Sequence, residues 1–163
     1  MHLSPALGDP NGCVSGSRAL WLLCRAGPPL CALPLGHVVE VMRILPIEPI
    51  AGAPLYLRGL SIIRGTPAPI VDTAFLCCGQ TAPFHRLVTV RAGTRIAALA
   101  VDTVVGIRRM ETTDPLPPLL REATSGVVSM IGRLDAELLL FLSTARIVPE
   151  AMFEHFGEHE IVS

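Results

Sequence analysis

Lysine is missing from this sequence altogether: all 13 basic residues are arginines, set against 14 acidic ones, and the net charge is -1. A chain with no basic excess is not built to hold a phosphate backbone, and no nucleic-acid partner is expected. Also missing is an uncharged run that could span a bilayer. The longest, Ala26 to Val39, has 14 residues and contains Pro28, Pro29 and Pro34, where a span needs about 18 or more apolar residues. The N-terminus lacks the charge-then-apolar order of a signal peptide, so a cytoplasmic protein without direct membrane insertion is expected. The five cysteines (Cys13, Cys24, Cys31, Cys77, Cys78) are odd in number and contain no C-x-x-C pair. That excludes a disulfide framework and a zinc ribbon, leaving buried thiols in a reducing compartment as the expectation. Charged residues are scarce at 17%, while half of the residues are hydrophobic. Such a chain cannot stay disordered, and its 163 residues suit one domain with a real core.

Glycine and proline are plentiful, together 29 of the 163 residues, as in a chain that turns often between short segments. Residues 1 to 17 show no apolar periodicity and are expected to form a flexible leader. Beyond them, runs rich in Val, Ile and Leu recur between turn signals: Ala19–Arg25, Leu30–Leu35, Val38–Leu45, Gly59–Arg64, Ala68–Asp72, Arg86–Arg91, Arg95–Val105, Gly126–Leu134 and Glu137–Leu142. This spacing predicts an all-β barrel or sandwich. Ala92-Gly93-Thr94 and Asp135-Ala136 have the lengths of hairpin turns. Pro67 and Pro69 lack N–H donors on the same side of their run, which predicts an edge or bulged strand. Two short helices are expected, one after Asp72 closed by Gly79 and one from Pro149 to Phe156, ahead of an acidic, His-bearing tail within 151–163.

Few residues offer chemistry. Pro69-Ile70-Val71-Asp72-Thr73 echoes Leu99-Ala100-Val101-Asp102-Thr103, and two such carboxylates could in principle share a proton as in an aspartic hydrolase. Neither copy continues into glycine, and an Asp ending a strand in a turn is the simpler expectation. His155 and His159 have the spacing of metal ligands on a helix, but Gly157 lies between them and no metal site is expected. His37 and His85 stand without an evident partner, and Cys77-Cys78 reads as packing. No phosphate-binding glycine loop occurs and no cofactor is implied. Two charges stand in unusual places. Arg64 sits between the apolar run Leu60–Ile63 and Gly65, where its planar donor fork could read a partner's carboxylate or amide, and Glu40 interrupts Val38-Val39-Val41.

At these residues the sequence resembles a family. Arg58-Gly59-Leu60-Ser61-Ile62-Ile63-Arg64-Gly65-Thr66-Pro67-Ala68-Pro69-Ile70-Val71-Asp72 is similar to the central segment of CheW-like domains. Cys31–Leu35 with Val38-Val39-Glu40-Val41, Ala98–Val104 and the hairpin Leu134–Leu142 continue the likeness on both sides. The resemblance implies a CheW-like domain over residues 18–150, built as two packed, five-stranded SH3-like β-barrels with short capping helices. It also implies a non-catalytic scaffold that couples the cytoplasmic tips of chemoreceptors to the regulatory domain of a CheA-type histidine kinase, in chemotaxis or in a pilus-motility or surface-sensing array. Carried over by position, Val38, Glu40, Gly59 and Arg64 fall at the receptor-binding groove. Leu116, Pro117, Leu119 and Leu120 fall in a loop that can face the kinase. Ile62 stands where the family usually has Asn, and Thr73 where it commonly has Leu.

Overall fold

The computed structural model describes residues 18–111, 118–119 and 126–147. The leader, the Pro149–Phe156 helix and the tail predicted from the sequence lie outside these residues. The chain forms strands β1 (Arg18–Arg25), β2 (Leu30–Pro34), β3 (Val38–Arg43), β4 (Leu57–Ile63) and β5 (Thr66–Asp72), then helix α1 (Thr73–Cys78). Strands β6 (Arg86–Ala92), β7 (Arg95–Val101), β8 (Thr103–Glu111), β9 (Val128–Leu134) and β10 (Glu137–Leu142) follow, with a last helical turn, α2 (Thr144–Ile147). The all-β expectation holds.

The strands make two five-stranded sheets, ordered β8-β1-β2-β10-β9 and β3-β6-β7-β5-β4. Both follow one plan. Two antiparallel hairpins, β1–β2 with β9–β10 or β6–β7 with β4–β5, are joined through a central parallel pair, and a fifth strand, β8 or β3, is added at one edge. The second sheet uses five consecutive strands, whereas the first takes its middle two from the start of the chain.

Alternation along the strands explains why the sequence is so apolar. Trp21, Leu23, Leu30, Ala32, Leu139 and Phe141 fill the interior of the first sheet, and Ile63, Ala68, Ile70, Leu87, Ala98 and Ala100 that of the second. The alternate residues, among them Leu22, Cys31, Leu33, Val71, Val88 and Leu99, meet in a third cluster drawn from both sheets. Inner strands are thus buried on both faces and read as continuous hydrophobic runs rather than alternating ones.

Two expectations are corrected. The run Arg95–Val105 is two strands: it breaks at Asp102, where the chain leaves the second sheet for the first. The proline-bearing segment is neither an edge strand nor bulged at its prolines, since β5 lies between β4 and β7. Pro67 and Pro69 share one parity opposite Ile62 and Leu60 of β4, and pairing with β7 begins only at Ile70. The missing donors therefore fall where no ladder is required. Helix α1 starts and stops as its sequence predicts: the Asp72 carboxylate accepts the Phe75 N–H at 3.1 Å, and Gly79 closes it in the left-handed region at φ 77°.

Candidate functional site

Glu40 and Arg64, 24 residues apart in sequence, meet across the second sheet. The Arg64 guanidinium donates from Nε to Glu40 Oε2 at 2.8 Å and from Nη2 to Oε1 at 2.9 Å, a two-pronged match of planar fork to carboxylate. These bonds hold the Glu40 carboxyl below its ordinary value and push the Arg64 guanidinium further up. Glu40 lies on β3 and Arg64 in the turn after β4, the two opposite edges of this sheet. Arg64 and Gly65 are the two turn residues of a hairpin, at φ 53° and 81°. Positive φ at both positions suits the twist of the strands, and it costs an arginine more than a glycine. The turn thus lifts an arginine that is 74% exposed above the sheet and aims it at β3.

Strand β3 presents this pair beside an apolar edge. A bulge leaves Val39 without a partner between Val38, which faces Val90, and Glu40, which faces Thr89. The Thr89 hydroxyl secures the irregularity, accepting the Glu40 N–H at 3.1 Å and donating to the Glu40 carbonyl at 3.2 Å. Val38 packs against the central cluster, while Val39 and Val41 stay 38% and 42% exposed. Gly59 is buried and has a supporting part. The Ile47–Glu48 backbone crosses above it, pairing Glu48 with Leu60 in both directions at 2.8 and 2.9 Å. A Cβ at Gly59 would lie 2.2 Å from the Glu48 carbonyl oxygen.

The sequence reading missed the counterpart of this edge. Strand β8 holds in the first sheet the place of β3 in the second, and its Val104-Val105-Gly106-Ile107 repeats the pattern of Val38-Val39-Glu40-Val41. Val104 and Gly106 pair with Cys24 and Leu23 and leave Val105 in a bulge. Val105 and Ile107 are 52% and 54% exposed. Val41 pairs with Val88 and Ile107 with Leu22, both members of the shared central cluster, so the two exposed residues continue that cluster's faces at its margins. The signal for β8 was present as a second Val-Val-x-(Val/Ile) word, cut in two where the run Arg95–Val105 was ended.

Other candidates resolve otherwise. Asp72 is buried, with one oxygen capping α1 and the other 3.7 Å from Arg58 Nη1, whereas Asp102 bonds His85 Nδ1 at 2.8 Å. The two carboxyls are thus held by different partners, and no hydrogen bond joins them. Both lone histidines have partners: His85 has Asp102, and His37 Nδ1 lies 2.7 Å from Thr144 Oγ1. Among the described residues no group of His, Cys, Asp and Glu could hold a metal ion, and no helix is long and apolar enough to cross a membrane. Of the predicted kinase-facing residues Leu119 is described and highly exposed, whereas Leu116, Pro117 and Leu120 lie outside the described residues.

Residues 20–152 match the CheW-like domain. This chain belongs to the CheW-like family. Protein FrzA of Myxococcus xanthus is 34% identical over 134 residues, a stretch covering 75% of this chain and 84% of FrzA. Among solved structures, the scaffolding protein TtCheW from Thermoanaerobacter tengcongensis shares the fold at a TM-score of 0.67 and 20% identity. That match covers 77% of this chain and 89% of TtCheW. The CheW-like family is one of non-catalytic scaffold proteins acting in chemosensory signalling, and the two-sheet architecture is that of its members.

Proposed function

We propose that this protein is a coupling adaptor that receives the helical cytoplasmic tip of a chemoreceptor-type protein along the β3 edge and holds it to a CheA-type histidine kinase. The observation that carries this reading is the apolar strand edge, with Val39 and Val41 exposed and Val38 packed behind them, lying beside a two-pronged Glu40–Arg64 pair. A helix laid in a groove needs this combination, with apolar contacts for area and charge to fix direction and register. Gly59 keeps the Ile47–Glu48 crossing in place, and Val105 and Ile107 on β8 offer a second exposed apolar edge. The kinase contact is assigned to Leu116, Pro117, Leu119 and Leu120, of which Leu119 is described and exposed. The protein works in the cytoplasm, at membrane-associated receptor arrays.

The test is affinity purification of the tagged protein from its native cells, with bound proteins identified by mass spectrometry, alongside Arg64→Glu and the exchange Glu40→Arg/Arg64→Glu. A chemoreceptor-type protein and a histidine kinase are expected with the parent, and about tenfold less receptor with Arg64→Glu. The exchange rebuilds the internal pair with its charges reversed, so binding stays weak if the partner reads those charges. Full recovery of binding by the exchange would reduce the pair to a clip across the sheet. Absence of both partners, while both are expressed, would refute the adaptor reading. The receptor recovered, flagellar or pilus-type, names the pathway.

A further inference from the structure

We propose that Cys31 and Cys77 form an oxidation site that takes up a hydroperoxide and closes to a disulfide joining the two sheets. Cys31 lies in β2 of the first sheet, buried in the shared central cluster, and Cys77 in α1, which leaves the end of β5 in the second. Their sulfurs are 3.7 Å apart, in contact and 46 residues apart in sequence. The other described thiols are differently placed. Cys24 faces Cys31 across the β1–β2 pair but is fully buried, and Cys78 turns its exposed thiol back to the Ala74 carbonyl at 3.1 Å.

Access sets the order of events. Cys24 and Cys31 are sealed in the core, where burial pushes the Cys24 thiol up to about 12, and contact with Cys77 together with burial also raises Cys31. Neither supplies thiolate at neutral pH. Of the two sulfurs in contact, Cys31 belongs to a buried residue and Cys77 to a partly exposed one, so Cys77 is the member of the pair placed to meet a small oxidant. Its thiolate attacks one peroxide oxygen: an S–O bond forms, the O–O bond breaks, and the other oxygen leaves as water or, from an organic hydroperoxide, as the alcohol. The Cys31 sulfur then attacks the Cys77 sulfenic sulfur, forming the S–S bond as the S–O bond breaks. The Cys31 proton departs with that oxygen as water. The two thiols lose two electrons and the hydroperoxide gains them. The raised pKa of Cys31 lowers its thiolate fraction and slows this second step, and the contact that already holds the two sulfurs together offsets that cost.

The full-length protein is treated with hydrogen peroxide, its remaining thiols are alkylated, and it is digested without reductant. The expected product is a Cys31–Cys77 linked peptide pair, lighter by two hydrogens than the two thiol peptides together. A rise in melting temperature of about 5–10 °C, reversed by dithiothreitol, should accompany it. Cys77→Ser abolishes both signals, and Cys78→Ser keeps both. A bond mapped instead to Cys13, Cys24, Cys78 or a second chain would overturn the proposal. So would Cys31 recovered as a free thiol beside an over-oxidised Cys77. The peptide map of the parent protein decides the matter without any variant.

Discussion

Among the residues of the proposed groove, those placed to meet a partner differ from those that hold the fold around it. Arg64 is exposed, sits in a turn and is held by one acidic side chain, so its replacement should spare the fold. Gly59 sits at φ 144° with the Glu48 carbonyl directly above it. Any side chain there must displace the Ile47–Glu48 crossing, which leans on the Glu48–Leu60 pairing and on Ser61, whose hydroxyl donates to the Pro46 carbonyl at 2.6 Å. Gly59→Ala should therefore destabilise the protein by about 2–4 kcal/mol, from backbone strain plus steric displacement. A urea titration followed by circular dichroism measures this directly. An unchanged midpoint would show that the crossing segment yields freely. Because Gly59→Ala acts through the fold, any loss of partner binding should track its loss of folded population, whereas Arg64→Glu should lose binding with its melt intact.

Among elements, a side-chain ion pair joins two strands that share no backbone ladder. Arg25 ends β1 and Glu137 starts β10, and β2 lies between those strands. The Arg25 guanidinium reaches across with two hydrogen bonds, the Nη2–Oε1 bond at 3.1 Å, and Nη1 also donates to the Pro28 carbonyl. Arg25 holds the Glu137 carboxyl below its ordinary value of 4.5. A depressed folded-state value means the pair stabilises fully above about pH 4.5, and its contribution is lost as pH falls through the lowered value. Glu137→Gln should thus lower the melting temperature near neutral pH and flatten its decline on acidification. Melts recorded between about pH 3 and 6 would show the two curves converging at the acid end, and 1 M salt should narrow their gap at neutral pH because both side chains are partly exposed. Parallel curves would remove Glu137 from the acid transition.

Most elements were legible because apolar runs, hairpin turns and a capped helix are local signals. The breaks at Arg95–Val105 and Pro67–Pro69 were not, since each depends on which sheet a strand joins. No glycine or proline marks the change of sheet at Asp102, and the prolines are tolerated only because β7 pairs late. Of the site, Arg64 and Glu40 stand out by their placement among apolar residues, whereas Val38, Gly59 and the role of all four came from resemblance: composition and spacing do not pair a glutamate with an arginine 24 residues away. Val41 and Ile107 were hidden by the same feature that made their strands readable, an apolar pattern that leaves core and exposed margin alike.

At the scale of the whole molecule, the two sheets share one plan but not one chain order. The second is closed by β3 to β7 in sequence, whereas the first waits for β8 to β10 before β1 and β2 acquire both of their neighbours. Cys24 pairs with Val104 and Cys31 with Leu140, contacts of long sequence separation that slow folding. A circular permutant should remove this asymmetry. Opening the chain in the turn Leu35–His37 and joining residue 163 to residue 1 places β1 and β2 directly after β10, so the first sheet gains the order of the second. All strand pairings are kept; the separation between β2 and β10 falls by half, while that between β1 and β8 is nearly unchanged. The permutant should melt in one transition within a few degrees of the parent, and it should refold faster, by roughly threefold to tenfold in stopped-flow fluorescence of Trp21. Slower refolding at equal stability would mean that the β1–β2 hairpin forms early and organises the first sheet from its centre, making the native order a folding device and not a legacy of the shared plan.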